Sequence, residues 1–282
     1  MHTTRFAPSP TGLLHIGHAF AAITAHAVAD GGPFLLRIED LDPGRSRPEF
    51  EAAITEDLAW LGLTWEKPVL HQSTRFGAYR DALATLTDQG LTYPCFCTRK
   101  EIAAEIARAS EAPHGADHAL YPGLCRTLSA ADRERRIAAG QAHVIRLDAA
   151  KAAARIAPLS FVEMGHGPHG EHGTITLSPS LLGDIVLGRK DIPAAYHLAV
   201  VVDDAFQGVS LVTRGNDLFA ATPVQRLLQA LLRLPAPLYA HHRLILNEQG
   251  RKFSKREYNV TLRQLREQGV SSNEVRRRLD CP

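Results

Sequence analysis

The sequence contains few cysteines and no long apolar run. Four cysteines among 282 residues are too few for a disulfide scaffold, and Cys95 and Cys97 are too close in the chain to bridge comfortably. A reducing cytosol therefore fits best. No uncharged stretch approaches the roughly 20 apolar residues that span a bilayer, and the N-terminus lacks the apolar core of a secretory signal. We expect a cytoplasmic protein with no membrane partner.

An excess of charge of one sign is also lacking. Lysine and arginine number 32 against 30 for aspartate and glutamate, which gives a formal net charge of +2. This near balance argues against a dedicated DNA-packaging or heparin-binding protein, so any nucleic-acid contact must come from a local patch. With 45% apolar and 22% charged residues, the chain can bury a substantial core. Its length indicates two domains or one elaborated α/β domain.

The first 40 residues predict a βαβ unit. A short strand over 3–7 is stopped by two prolines, an alanine-rich helix follows over 17–29, and a continuous apolar strand covers 34–40. Parallel strands bind their ligands beyond their carboxyl ends. The pattern therefore predicts an α/β fold with a site just after these strands.

The rest of the chain alternates helical and strand patterns. Apolar spacing predicts helices over 54–61, 76–86, 99–112 and 218–232, and Ser129 is typical of a helix N-cap. The strings AHVIRL, TITLS, LLGDIVL and YHLAVVVDD indicate strands that return the chain to a sheet.

The stretch GHGPHGEHG over 165–173 has no apolar periodicity, so we expect an exposed loop. His166, His169 and His172 make a weak metal candidate, because glycine and proline interleave them and neither a helix nor a strand fixes their geometry.

Two short motifs carry candidate chemistry. In APSPTGLLHIGH (7–18), a glycine between two histidines lets the backbone approach a nucleotide and offers imidazole donors to phosphate. The alternative is a proline-rich turn with a helix-capping histidine. In RKFSKR (251–256), Lys252 and Lys255 flank a serine, which suits a cationic clamp on a triphosphate. The alternative is a solvated basic loop.

In this order, the two motifs resemble the HIGH and KMSKS signatures of class I aminoacyl-tRNA synthetases. RFAPSPTG, LRIEDLDPGRS (36–46) and AYHLAVVVDDAFQGVSLVTRGNDL (195–218) are similar to segments of the glutamyl-tRNA synthetase catalytic domain. The resemblance implies a Rossmann-type α/β catalytic domain with a connective insertion. KFSKR departs from the signature by a phenylalanine and a final arginine, and we expect the clamp to survive both changes.

Two features indicate which branch of the family the chain resembles. Only 26 residues follow Arg256, which is too short for the helical anticodon-binding region of glutamyl-tRNA synthetases. Val200 stands where those enzymes usually have asparagine. The chain is therefore similar to the truncated branch of the family that places glutamate on the queuosine base of tRNA(Asp). This implies ATP, L-glutamate and the tRNA(Asp) anticodon stem-loop as partners, and we expect a monomer that does not bind DNA.

The strings YPCFC (93–97) and YPGLC (121–125) indicate either a metal site or free cysteines beside a packed tyrosine. Three thiolates and one oxygen can close a tetrahedral zinc site, and His114 or His118 could replace the tyrosine. The resemblance implies a structural zinc ion on Cys95, Cys97, Tyr121 and Cys125. It divides the chain into catalytic segments 1–92 and 126–250, a zinc-binding insert 93–125, and a KMSKS-like loop with a short helical tail over 251–282.

The resemblance also assigns roles to single residues. Glu39 should bind the ammonium group of glutamate, while Arg5 and Arg214 share its carboxylates; the alternative for each arginine is a surface ion pair. The glutamate site would comprise Arg5, Phe6, Ala7, Pro8, Ser9, Glu39, Tyr196 and Arg214. ATP, accompanied by Mg²⁺, would contact His15, Gly17, His18, Lys252 and Lys255, of which His15, His18 and Lys255 would be catalytic.

Three other functions remain open at this point. The chain could be a truncated synthetase that charges a tRNA 3′ end, a nucleotidyltransferase that makes a small-molecule adenylate, or an inactive synthetase-like RNA-binding protein. Residues 251–282 carry nine basic and four acidic side chains, so they could line a tRNA path, or Arg276–Arg278 could simply solvate a terminal helix.

Overall fold

The structure, a computed structural model, describes residues 1–98, 100–102, 121–156, 158–177, 183–189, 192, 194–245 and 260–280. Its strands are β1 (Thr4–Phe6), β2 (Phe34–Ile38), β3 (Glu66–His71), β4 (Thr92–Cys95), β5 (Val144–Leu147), β6 (Ser160–Glu163), β7 (Gly173–Thr176), β8 (Val186–Arg189), β9 (Leu211–Gly215) and β10 (Leu238–His242). Its helices are α1 (Ile16–Val28), α2 (Pro48–Trp60), α3 (Phe76–Asp88), α4 (Ala130–Ala138), α5 (Ala149–Ala154), α6 (Tyr196–Phe206), α7 (Thr222–Leu231), α8 (Leu262–Glu267) and α9 (Ser272–Arg278). Two 3₁₀ segments, Gln72–Arg75 and Asn216–Ala221, precede α3 and α7.

The predicted βαβ unit is confirmed. β1 and β2 pair in parallel, with Thr4 opposite Phe34, and α1 connects them. β3 adds a second parallel pairing to β2. The strand over 34–40 ends two residues early, at Ile38, so Glu39 and Asp40 follow the strand. The carboxyl ends of these strands therefore share one edge.

A second sheet continues alongside the first. Its order is β7-β6-β10-β9, and β9, β10 and β6 run parallel. The backbone N–H groups of Ser210 and Leu211 donate to the Thr3 carbonyl at 3.0 and 3.2 Å. These bonds hold the start of β9 beside β1. The C-terminal edges of both sheets consequently face the same region.

The third sheet is separate and antiparallel, in the order β4-β5-β8. β4 brings Cys95 to its end. The buried Asp184 carboxylate ties this sheet to its surroundings, because it accepts bonds from the Tyr93 hydroxyl at 2.5 Å and the Ala149 N–H at 2.9 Å. The predicted strands AHVIRL and TITLS correspond to β5 and β7. Of LLGDIVL (181–187), only the last two residues are in β8, residues 183–185 are not in a strand, and 181–182 lie outside the described residues.

The first core lies between the β1-β2-β3 sheet and its helices. It contains Ile54, Leu58 and Leu61 from the predicted helix over 54–61. Leu262, Leu265 and further apolar side chains of α8 and α9 pack into the same cluster. The C-terminal helices are therefore part of the packed fold.

The segment YHLAVVVDD is a helix, and the predicted strand is wrong. Three consecutive valines favour a strand when only local preference decides. Here α6 packs against α3, α7 and β8, and Leu198, Ala199, Val200 and Val201 are all buried. A short apolar run is equally compatible with a buried strand and with a helix that is covered on most sides. Burial in the tertiary structure therefore decides the conformation.

Other predicted elements need smaller corrections. The helix over 218–232 is a 3₁₀ segment followed by α7. Ser129 caps α4 as expected, since its hydroxyl accepts the Asp132 N–H. The helix predicted over 99–112 lies outside the described residues except for 100–102. Within the described part of the chain, a helix with the length and apolarity to cross a bilayer does not occur.

Candidate functional site

A cavity of about 440 Å³ lies beyond the carboxyl ends of β1, β2 and β9. Seven of the eight predicted glutamate-site residues line it: Arg5, Phe6, Ala7, Ser9, Glu39, Tyr196 and Arg214. Pro8 is not among the described lining residues. Its carbonyl accepts the Glu39 N–H at 3.0 Å, which ties the loop after β1 to the end of β2. Side chains more than 200 positions apart in sequence thus face one space.

Arg5 is held by a buried carboxylate that the sequence analysis missed. Its Nε lies 3.0 Å from Asp204 Oδ1, and its Nη1 donates to the Thr213 carbonyl at 3.1 Å. Arg37 Nη1 reaches the same Asp204 oxygen at 2.7 Å. Burial acts to raise the pKa of Asp204, but Arg5 and Arg37 outweigh it and hold this pKa below its usual value. Asp204 is therefore charged between two arginines.

Arg214 lines the same cavity and is equally buried. Its Nη1 and Nη2 donate to Gln225 Oε1 and Thr222 Oγ1, each at 2.7 Å, and its Nε donates to His241 Nε2 at 3.0 Å. Arg5 and Arg214 are 5% and 6% exposed. The surface ion-pair alternative is therefore wrong for both arginines.

Glu39 and Tyr196 complete the wall of the cavity. Glu39 Oε1 lies 3.4 Å from Arg37 Nη2, and its side chain is 12% exposed. Burial raises the pKa of Glu39 against the opposing effect of Arg37 and Arg5. A cationic ligand group would stabilise its charged form. Burial, followed by the charge of Glu39, also raises the pKa of Tyr196, so its phenol keeps its proton.

The two histidines of HIGH lie at the N-terminus of α1. The Gly17 N–H donates to His15 Nδ1 at 3.1 Å, and the His15 N–H donates to His18 Nδ1 at 3.2 Å. Each neutral ring that accepts at Nδ1 carries its proton at Nε2, where it can donate to an anion. The positive end of the 13-residue helix α1 adds to this preference for phosphate.

Two smaller cavities adjoin the first. One of about 180 Å³ shares His18, Ala21 and Gly215 with it and also contacts Gly17 and His242. The other, of about 210 Å³, shares Ser9, Glu39 and Tyr196 with it. Asp42, Arg45 and Arg189 also line this last cavity. Three cavities that share lining residues thus lie at the C-terminal edge of the sheets. Lys252 and Lys255 lie outside the described residues.

The four predicted zinc ligands lie together. Tyr121 Oη is 3.3 Å from Cys95 Sγ and 3.4 Å from Cys97 Sγ, and Cys97 Sγ is 3.4 Å from Cys125 Sγ. The three sulfur atoms lie within 4.8 Å of one another. Tetrahedral ligands about 2.3 Å from zinc would be separated by roughly 3.8 Å, so the donor set fits zinc. The Arg146 guanidinium lies 3.9 Å from the Tyr121 ring centroid, a cation–π contact that holds the ring beside the cysteines. His114 and His118 lie outside the described residues.

Two other sequence features have a definite place. His166, His169 and His172 are exposed in the loop before β7, as expected, and the first and last of these rings stack at 5.4 Å. In α9, Arg276 Nη2 donates to the Leu61 carbonyl at 3.0 Å, and Arg278 pairs with Glu274. Arg276 therefore connects α9 to the end of α2, whereas Arg278 is paired within α9.

Residues 2–279 match the catalytic-domain family of class I tRNA synthetases for E and Q. The chain belongs to that family. A glutamyl-Q tRNA(Asp) synthetase of Rhodobacter capsulatus is 46% identical over 281 residues, covering 97% of this chain and 98% of the relative. A glutamate–tRNA ligase of Aquifex aeolicus is 39% identical over 94% of this chain, which spans 54% of that ligase.

The fold of this class I synthetase also matches a solved structure. A glutamate tRNA ligase from Elizabethkingia meningosepticum, solved in complex with its amino acid, superposes with a TM-score of 0.73 at 27% identity. The match covers 90% of this chain and 52% of that one. The predicted α/β class I catalytic fold is confirmed.

Proposed function

We propose that this class I synthetase activates L-glutamate with ATP and transfers the glutamyl group to the queuosine base at the wobble position of tRNA(Asp). The observation that carries the proposal is the cavity lined together by Arg5, Glu39 and Arg214, whose side chains are largely buried. Two carboxylates and one ammonium group would complement these three side chains. The full-length similarity to a glutamyl-Q tRNA(Asp) synthetase supports the choice of acceptor.

Glutamate binds with its ammonium group at Glu39 and its carboxylates at Arg5 and Arg214. Phe6, Ala7, Pro8, Ser9 and Tyr196 form the remaining site. The preset geometry of both arginines lowers the entropic cost of binding, because the protein holds each guanidinium before the ligand arrives.

ATP occupies the cavity beside His18, along the N-terminus of α1. An oxygen of the glutamate α-carboxylate attacks the α-phosphorus, a new P–O bond forms, and the bond to the β-phosphate bridge breaks to release pyrophosphate. His15 and His18 donate to phosphate oxygens, Gly17 allows close approach, and Lys252 and Lys255 neutralise the leaving group. Mg²⁺ bound with ATP supplies further neutralisation of phosphate charge.

The acceptor enters through the cavity lined by Asp42, Arg45 and Arg189. This space shares Ser9, Glu39 and Tyr196 with the glutamate cavity, so a hydroxyl placed there lies next to the activated carboxyl group. The hydroxyl oxygen of the queuosine cyclopentenediol attacks the carbonyl carbon, AMP leaves, and an ester forms. The anticodon loop must present its base splayed out for this step.

We further propose that a structural zinc ion binds Cys95, Cys97, Tyr121 and Cys125 within an insert over 93–125. Segments 1–92 and 126–250 form the catalytic domain, and 251–282 form the KMSKS-like loop and helical tail. A shell filled by four protein ligands leaves no position for a substrate. The zinc ion would therefore stabilise the insert and take no part in the reaction.

ATP–pyrophosphate exchange without tRNA tests the activation step. Glutamate should support exchange, whereas glutamine and aspartate should support little, since glutamine lacks one carboxylate and aspartate is too short to span both arginines. The resemblance to glutamyl-tRNA synthetases implies that a 3′-end charging enzyme would need tRNA at this step. Absence of glutamate-dependent exchange would contradict the proposal.

A further inference from the structure

Arg214 has two N–H groups that the described part of the chain leaves without an acceptor. Nε, Nη1 and Nη2 each donate once, to His241, Gln225 and Thr222. A guanidinium has five N–H groups. Among the described residues, none accepts from the remaining two, one on each terminal nitrogen. These two are available to a carboxylate in the cavity, and the three bonds behind them set their direction.

The bond to His241 fixes the proton position on that imidazole. Arginine only donates, so His241 Nε2 must accept, and the ring proton is on Nδ1. Nδ1 lies 2.6 Å from Glu163 Oε2. Both side chains are fully buried. The carboxylate therefore selects the one neutral tautomer that presents a lone pair to Arg214.

Glu163 is itself held by the backbone. Its Oε1 accepts the N–H of His241 at 2.8 Å and the N–H of Gly165 at 2.9 Å. Gly165 packs so closely that a Cβ there would lie 2.4 Å from the His241 carbonyl oxygen. Burial acts to raise the pKa of Glu163, but the hydrogen bonds from His241 outweigh it and hold this pKa below its usual value. The carboxylate is charged and cannot rotate freely.

The surroundings of His241 favour its neutral form. Burial lowers the pKa of His241, and the charge of Arg214 adds to this, while Glu163 and Asp217 oppose it. The Phe219 and Tyr239 rings lie against the imidazole, and His242 is the adjacent titratable group on the same strand. The Thr222 hydroxyl lies 3.4 Å from His241 Nε2.

We propose that Glu163 and His241 are positioning residues that orient Arg214 toward the carboxylate of bound glutamate. Glu163 acts through His241, because the carboxylate fixes the tautomer and the Nε2 lone pair then fixes the guanidinium. This inference rests on the proposed function, in which Arg214 binds glutamate.

Glu163→Gln is the sharpest test, because the side chain keeps its size. With the amide oxygen on the two backbone N–H groups, its NH₂ group faces Nδ1 and forces the proton of His241 onto Nε2. The Nε2–H of His241 and the Nε–H of Arg214 then point at each other. We expect the glutamate KM in ATP–pyrophosphate exchange to rise about 10-fold or more, while the ATP KM stays within about twofold.

Substitutions at His241 separate positioning from packing. His241→Phe preserves a buried ring but removes the acceptor, so it should raise the glutamate KM like Glu163→Gln. His241→Gln restores an acceptor that needs no tautomer, so its glutamate KM should stay within about threefold of the wild type. In the His241→Gln background, Glu163→Gln should add little. The control Glu171→Gln alters the carboxylate that accepts the His169 N–H and should change neither KM.

The outcomes are distinct. A wild-type enzyme without glutamate-dependent exchange contradicts the proposed function. With an active wild type, an unchanged glutamate KM in Glu163→Gln, or an equal rise in both KM values, contradicts the positioning role. If Glu163→Gln does not fold, the comparison of His241→Phe with His241→Gln decides, and equal glutamate KM values in the two would overturn the inference.

Discussion

Arg37 Nη1 lies 2.7 Å from Asp204 Oδ1, and this oxygen also accepts from Arg5 Nε at 3.0 Å. One buried carboxylate thus pairs with two arginines that enter from neighbouring strands. Arg37 also pairs with Glu39. Asp204 and Arg37 therefore link Arg5, which would bind a carboxylate of glutamate, to Glu39, which would bind its ammonium group.

Asp204→Asn removes this charge without changing the size of the side chain. Two buried arginines would lose the carboxylate that they share, and breaking a buried ion pair typically costs about 3–5 kcal/mol. Urea unfolding should therefore show a large fall in the free energy of unfolding. The control Glu274→Gln breaks the exposed pair with Arg278 and should cost less than about 1 kcal/mol. Equal stabilities of the two variants would contradict the account.

Glu39→Gln tests the ammonium site. The variant keeps a hydrogen-bond acceptor but loses the charge, so the glutamate KM should rise about 10- to 100-fold, as for other charge-assisted bonds. The ATP KM should change less than about twofold. Glu49→Gln, an exposed change in the first turn of α2, is the matched control. A glutamate KM that stays at the wild-type value in Glu39→Gln would exclude this role.

We expect His197 to make the folded protein less stable in acid. Burial, with a contribution from Arg214, lowers the pKa of His197 to about 4 from an ordinary 6.5. Between these values the unfolded chain binds a proton that the folded chain does not, so stability falls as the pH falls. From pH 6.5 to 5 the wild type should lose about 2 kcal/mol more than His197→Gln. Urea unfolding at both pH values measures the difference, and parallel losses would refute it.

The cysteine cluster predicts one zinc ion per chain. Metal analysis of Cys97→Ser should show a large loss of zinc, and its melting temperature should fall by several degrees, because about 1 kcal/mol corresponds to roughly 2–4 °C in a chain of this size. Cys281→Ser is the control, since this cysteine stands outside the YPCFC and YPGLC strings. Zinc-free wild-type protein after purification with added zinc, or zinc retained by Cys97→Ser, would exclude the site.

The sequence predicts the unit β1-α1-β2 within two residues at each boundary because its signals are local: prolines after the first strand and an alanine-rich apolar helix. It does not predict β10, whose string LYAHH has little strand character, or α6, whose valines favour a strand until burial on most sides is known. A nine-residue string such as YHLAVVVDD does not show how many of its sides are covered in the folded protein.

The same limit applies to the site. Arg5, Glu39, Tyr196 and Arg214 stand in motifs and could be named from the sequence. Their supports, Asp204 and His241, lie 199 and 27 positions from the arginines they contact. Asp204 ends the VVDD string and His241 is in LYAHH, but only the fold shows which arginine each one contacts.

The location of transferred glutamate tests the central claim most directly. The protein is incubated with ATP, labelled glutamate and tRNA(Asp) with or without queuosine, and the 3′ terminus of the tRNA is then removed. We expect the label to remain on tRNA that contains queuosine and to be absent from tRNA that lacks it. Label that departs with the 3′ terminus, or that appears equally on both tRNAs, would contradict the account.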